Sequence, residues 1–161
     1  MNAIAILERQ HALITALLDS IEQADDPDEK RALFQELADH LAAHATIEEE
    51  IFYPAAFWSE TDRMISQSMA DHLELKLLLA EMLQLLPEAD GFAAKIEELR
   101  RRVDDHVLFE EHQLFEEVEA LMDMPHLEQL GRELHHRFEE EIRATPRDRL
   151  IIEAAEAAGA T

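Results

Sequence analysis

The chain of 161 residues contains no cysteine, which excludes disulfides, thiolate catalysis, thiolate zinc sites and cysteine-ligated iron–sulfur clusters. Any metal must be held by His, Asp or Glu. Three glycines and five prolines, set against abundant Leu, Ala and Glu and hardly any β-branched runs, predict an all-α protein without a sheet. Cations are scarce too: 14 Lys and Arg against 37 Asp and Glu give a formal charge of -23. Nucleic-acid affinity rests on cations that neutralise phosphates, and an anionic bilayer would repel such a surface. Neither nucleic acid nor membrane is expected as a partner. No apolar run approaches the roughly 20 residues of a membrane span, and the opening "MNAIAILERQ" lacks the basic start and cleavage site of a signal peptide. The chain is expected to be a cytoplasmic monomer or weak homo-oligomer, of about one domain's length.

The helix breaks are legible. Asp26 as N-cap and Pro27 at the first helical position end one helix and start another. Pro54 closes the second, "SETD" at 59–62 caps a third, Pro87 and "ADG" at 89–91 terminate it, and a fourth runs from about Gly91 to Met122. Four long helices with short connections predict an antiparallel up-down-up-down four-helix bundle. Beyond Pro125 an additional short C-terminal helix carries Leu127, Leu130, Leu134, Phe138 and Ile142 on one face. This assigns residues 1–146 to the bundle domain with its fifth helix and 147–161 to a tail with little to bury, expected to fray.

What is present is an anomaly in a hydrophobic seam. Phe34, Leu37, Leu41, His44, Glu48 and Ile51 follow steps of three and four, so a histidine and a carboxylate occupy positions that face the core. A buried carboxylate is costly unless paired, hydrogen-bonded or metal-bound. The same pattern recurs. "RQHALITALLDSI" aligns with "ADHLELKLLLAEM", laying His11 on His72, and "HATIEEEIFYP" aligns with "HVLFEEHQLFE", laying His44 on His106, Glu48 on Glu110 and Tyr53 on Phe115. The chain therefore reads as two helix–turn–helix copies, each contributing one histidine and one HxxxE. Counting about 1.5 Å per residue from the breaks, all four histidines fall within about one turn of the same depth.

His11, His44, Glu48, His72, His106 and Glu110 are thus the candidate metal ligands. Four imidazoles cannot fill two metals alone; if each metal takes two histidines and both glutamates bridge, a solvent oxo or hydroxo bridge makes five donors and leaves one position open. Nitrogen and oxygen donors without sulfur suit iron or manganese, with zinc or copper open on affinity grounds. An open position on a paired redox metal suits a small diatomic or peroxide.

These residues resemble the hemerythrin-like (HHE cation-binding) family over roughly residues 5–123, in the double H…HxxxE and in the "EE…YP" ending of the second helix. The resemblance implies two iron ions with an oxo or hydroxo bridge in a four-helix bundle. It also implies a function in binding or reacting with dioxygen, peroxide or nitric oxide, as oxygen or redox sensor, iron-handling protein or modest peroxidase. The alternative is a non-catalytic, metal-stabilised interaction or iron-storage protein. Oxygen-carrying members have a further histidine where this chain has Lys76, and an aspartate where Glu111 stands, which argues against reversible oxygen carriage. His40, one turn before His44, is a candidate substitute. His112 lies about 120° round the helix from His106, at about 100° per residue, and His135 and His136 read as a solvated flank. Glu49, Glu50 and Glu111 fall outside the seam as solvated or supporting groups. Phe52, Tyr53, Phe57 and Trp58 read as an aromatic plug at the bundle end.

Overall fold

The computed structural model describes residues 1–159. Helix α1 spans Ala3–Gln23 and is capped by the Asn2 side chain, which accepts from the Ala5 N–H at 2.9 Å. Helix α2 (Pro27–Ile47) starts as the sequence predicts, with Asp26 accepting from the Glu29 N–H at 2.9 Å. It then widens into a π-helical turn, π1 (Glu48–Phe52), and ends in a short α-helical turn, α3 (Tyr53–Ala55). Helix α4 is Asp62–Leu83. Helix α5 (Phe92–Phe109) follows Gly91, whose φ of 90° is open to glycine at little cost. A second π-helical turn, π2 (Glu110–Leu114), leads into α6 (Phe115–Leu121). Helices α7 (Met124–Arg143) and α8 (Arg147–Gly159) complete the described chain, which has no strand among its described residues.

Helices α1, α2, α4 and α5 form the bundle: α1 packs on α2 and α5, and α4 closes the ring against the same two. The apolar interior is in two parts. One holds Ile14, Leu18, Leu37, Leu79, Met82 and Leu99, the other Leu7, Ile47, Phe52, Phe115, Leu130 and Leu134. Burying each such side chain contributes about 1.5–3 kcal/mol. Between the two parts, on every bundle helix, lies a polar layer: His11, His44 with Glu48, His72, and His106 with Glu110, all buried.

Helix α7 lies across α1 and α2. Its Gly131 touches the N-terminal backbone so closely that a Cβ there would stand 2.4 Å from the Met1 carbonyl oxygen and 2.9 Å from the Asn2 carbonyl carbon. The seam of α7 drifts at its end, where Glu141 is buried and Ile142 only half-buried. Glu141 is held by Arg137 at 2.5 Å and by Arg149.

The expected frayed tail is instead helical over 147–159; residues 160–161 lie outside the described part. Helix α8 buries Leu150 against the bundle, packing on α4 and α2. Asp39 fastens its start, accepting from the Arg147 backbone N–H at 2.9 Å and pairing with the Arg147 guanidinium at 2.5 Å. Leu150 and the two arginines that find buried or half-buried acids outweigh the alanine-rich end.

Candidate metal centre

All six residues singled out from the sequence meet in the polar layer. They form two clusters whose donor atoms lie within 4.8 Å of one another: His11, His44, Glu48 and Glu110 in one, Glu48, His72, His106 and Glu110 in the other. Both glutamates are shared. Glu48 Oε2 is 3.3 Å from His44 Nε2 and 3.0 Å from His72 Nε2, so one carboxylate oxygen spans the two repeats. Glu110 Oε2 does the same for His11 Nε2 at 3.4 Å and His106 Nε2 at 3.5 Å.

Every imidazole is oriented from behind. His11 Nδ1 donates to Glu111 at 2.9 Å, His44 Nδ1 to the Gln10 side-chain carbonyl at 2.7 Å, His72 Nδ1 to Glu49 at 3.0 Å, and His106 Nδ1 faces Asp71 at 3.3 Å. Each Nε2 is thereby left for the centre, the arrangement typical of metal-binding histidines. Glu49 is held in turn by Lys76, whose ammonium donates to both of its oxygens at 3.0 and 2.9 Å. Lys76, at the position where oxygen carriers have a histidine, therefore steadies an outer acid.

Electrostatics make the layer unusual for a protein interior. Burial opposes charge on His11 and His72, but the nearby carboxylate of Glu110 and a hydrogen bond to Glu111 raise His11 to about 9, and contacts with Glu48 and Glu49 raise His72 to about 10. His44 is pushed well below the ordinary range by burial and by the charge on His11. Burial and the charge of Glu110 raise Glu48; Glu110, against its own burial, is held well below the usual carboxylate range by His106 and His11. Glu48 Oε1, His106 Nε2 and Glu110 Oε2 are buried yet make no hydrogen bond. Orphaned buried donors and acceptors are costly, and a divalent cation between shared carboxylates and imidazoles would satisfy all three. The donor set fits such an ion.

A family model described as the hemerythrin HHE cation binding domain matches residues 2–118. The chain belongs to this hemerythrin HHE family. A solved structure of a hemerythrin HHE cation binding domain-containing protein from Mycobacterium kansasii is similar to it at 26% identity with a TM-score of 0.80, covering 89% of each chain. An uncharacterised protein from Mycobacterium tuberculosis is 27% identical over 148 residues, 91% of this chain and 90% of that one. A DNA nickase from a Nostoc species is 30% identical over 136 residues; these are 83% of this chain but 38% of the nickase.

Within this HHE domain the remaining candidates fall outside the centre. His40 Nδ1 donates to the Glu36 carbonyl at 2.9 Å and its ring rests 5.9 Å from that of Phe138, so it does not replace the missing histidine. His112, His135 and His136 are exposed. Glu49 and Glu111 support histidines, whereas Glu50 pairs with Arg137 at 2.9 Å. Of the aromatic plug, Phe52 is core, Trp58 is half-buried and Phe57 is exposed.

Tyr53 is a correction. Its ring is buried, but its hydroxyl enters the centre, 3.0 Å from Glu48 Oε2, 3.2 Å from His72 Nε2 and 2.5 Å from Glu110 Oε1. Five residues beyond Glu48 it would lie about 140° away on a regular α-helix, at about 100° per residue. The π1 turn, in which the Tyr53 N–H donates to the Glu48 carbonyl, brings it back over the site. Burial and the two carboxylates keep its proton firmly bound in the metal-free protein. The alignment of Tyr53 with Phe115 was the available signal: π2 places Phe115 in the equivalent position, stacked 5.8 Å from the His11 ring at 5°.

Proposed function

We propose that the polar layer holds two iron ions joined by an oxo or hydroxo bridge, with His11 and His44 terminal on one, His72 and His106 terminal on the other, and Glu48 and Glu110 shared. The observation that carries this reading is the pair of four-residue clusters with both glutamates in common. The protein's task is then to bind or react with a small molecule, dioxygen, peroxide or nitric oxide, as a sensor, iron-handling protein or modest peroxidase. The bound pair supplies redox chemistry and a coordination position; the chain's own residues decide what reaches it.

A cavity of about 20 Å³ lies beside the centre, lined by Leu41, Ala45, Leu75 and Leu79 together with His44, His72, His106 and Lys76. A single water-sized molecule needs roughly 10–15 Å³, so this cavity admits a diatomic or peroxide and is too small for an organic molecule. Gln10, Glu111, Glu49 and Asp71 hold the imidazoles in place, and Lys76 fixes Glu49. With no fifth histidine, lasting oxygen adducts are not expected. DNA cleavage is not carried over from the Nostoc nickase, because the chain spans 38% of that protein and bears a charge of -23, which opposes phosphate binding.

The experiment is metal analysis of protein expressed with ample iron, with magnetic measurement of the aerobic form and titration by azide, nitric oxide and peroxide. About two spin-coupled irons per chain and a charge-transfer spectrum that responds to these ligands are expected. A reproducible content near one, without coupling, would sink the two-metal reading. Two irons with a spectrum inert to all three ligands would favour the storage or structural alternative.

A further inference from the structure

Tyr53 is the chain's single tyrosine, and its oxygen stands among the atoms assigned above to metal. The Tyr53 hydroxyl, His72 Nε2 and Glu48 Oε2 form a triangle with sides of 3.2, 3.0 and 3.0 Å. Adjacent donors on an octahedral ion with bonds of about 2.1 Å stand about 3.0 Å apart. The triangle has the dimensions of one octahedral face.

We infer that Tyr53 binds, through its phenolate oxygen, the metal ion held by His72 and His106. The inference rests on the metal reading above and adds to it a donor outside the histidine–glutamate set. On binding, the phenol O–H bond breaks and an oxygen–metal bond forms; the proton leaves to solvent and no electron is transferred. A divalent or trivalent cation reverses the local balance that otherwise keeps the proton on the phenol.

The two ions are then unlike. Two imidazoles, two shared carboxylates, one bridge and Tyr53 give the His72–His106 ion six donors. On the other side Phe115 stacks on His11 and offers no donor atom, so the His11–His44 ion stops at five. The exogenous molecule therefore binds the His11–His44 ion, which the cavity described above reaches at His44, and the absent histidine at Lys76 is compensated from another helix turn.

The test is to titrate the metal-free, full-length chain with Zn²⁺ and Fe²⁺ and record near-ultraviolet difference spectra, in which a phenol that ionises gives a red-shifted band. With one tyrosine in the chain any such band belongs to Tyr53. One phenolate per chain is expected as two metals bind, and the oxidised iron form should show a visible phenolate-to-iron band with resonance-enhanced tyrosine ring modes. Tyr53→Phe, which keeps the ring, should abolish these signals and weaken one of the two metal-binding steps by at least the about 10–100-fold seen when an outer partner of a metal ligand is lost. Two metals bound with no phenolate signal would overturn the inference and leave the metal centre standing. Binding of no metal would overturn both. Should the Phe variant fail to fold, the wild-type spectra alone decide.

Discussion

His11 and His72 govern how the metal-free protein responds to pH. Their folded-state values of about 9 and about 10 lie above the ordinary 6.5, so the stability they contribute is complete below about pH 6.5 and is lost as pH rises through 9 and 10. Glu110, depressed by its cationic neighbours, loses its contribution only in acid. Melting of chelator-treated protein should therefore fall steadily from pH 6.5 to 10. A flat profile would show that the two imidazoles are not held as cations. Metal binding must displace those protons, so metal affinity should rise over the same interval. Substitutions sort by contact: Glu48→Ala or Glu110→Ala removes a shared donor and should cost at least one metal. Glu49→Ala or Glu111→Ala removes a support for His72 or His11; about two metals should still bind at saturation, but about 10–100-fold more weakly. Equal metal loss at positions 48 and 49 would mean that the seam is misassigned.

At the scale of elements, the two π turns decide what reaches the centre. In π1 the seam slips by one residue, so that Phe52 is buried while Ile51, the expected seam residue, is half-buried. Deleting Glu50, an exposed residue within π1, should convert it to regular α-helix in which Tyr53, then four residues beyond Glu48, stays within about 40° of it, so metal content and spectra should persist. Loss of both would show that the widened turn itself, and not only the register of Tyr53, is needed at the centre. The N-terminus of α1 meets α7 at Gly131, where Gly131→Ala should cost about 1–3 kcal/mol by overpacking against fixed backbone, read as a lowered denaturation midpoint. These features also mark the limit of what periodicity reveals. His11, His44, Glu48, His72, His106 and Glu110 were legible because a regular helix places polar residues in a seam where apolar ones belong. Tyr53 was not, because π turns leave no signature in a 3.6-residue pattern. Gln10 and Asp71 sit beside the seam and look solvated until a neighbouring helix supplies a histidine. Helix α8 was missed because one leucine and two arginines are a weak signal against a run of alanines.

Across the whole molecule, a metal in the polar layer would couple binding to folding. The polar layer separates two apolar clusters, so without metal the bundle must close over carboxylates and imidazoles whose atoms lack partners. A site filled at 1,000 times its Kd adds about 4.1 kcal/mol, so the loaded protein should melt well above the chelated one. Indistinguishable melting curves would argue that the layer is satisfied without an ion. The two halves of that layer also record a history. Glu48–Phe52 and Glu110–Leu114 carry the same extra residue at the same place, each closed by a bond from position i to i−5, onto the carbonyl of Glu48 in one and of Glu110 in the other. Duplication of one helical hairpin, already bulged, would leave this pattern. The aromatic hydroxyl present in Tyr53 and absent from Phe115 is then what makes the two halves chemically distinct. A chain built from two copies of residues 1–56 puts this to the test: it should bind two equivalent metals with two phenolates, and failure to bind metal would show that one half does not carry a sufficient ligand set.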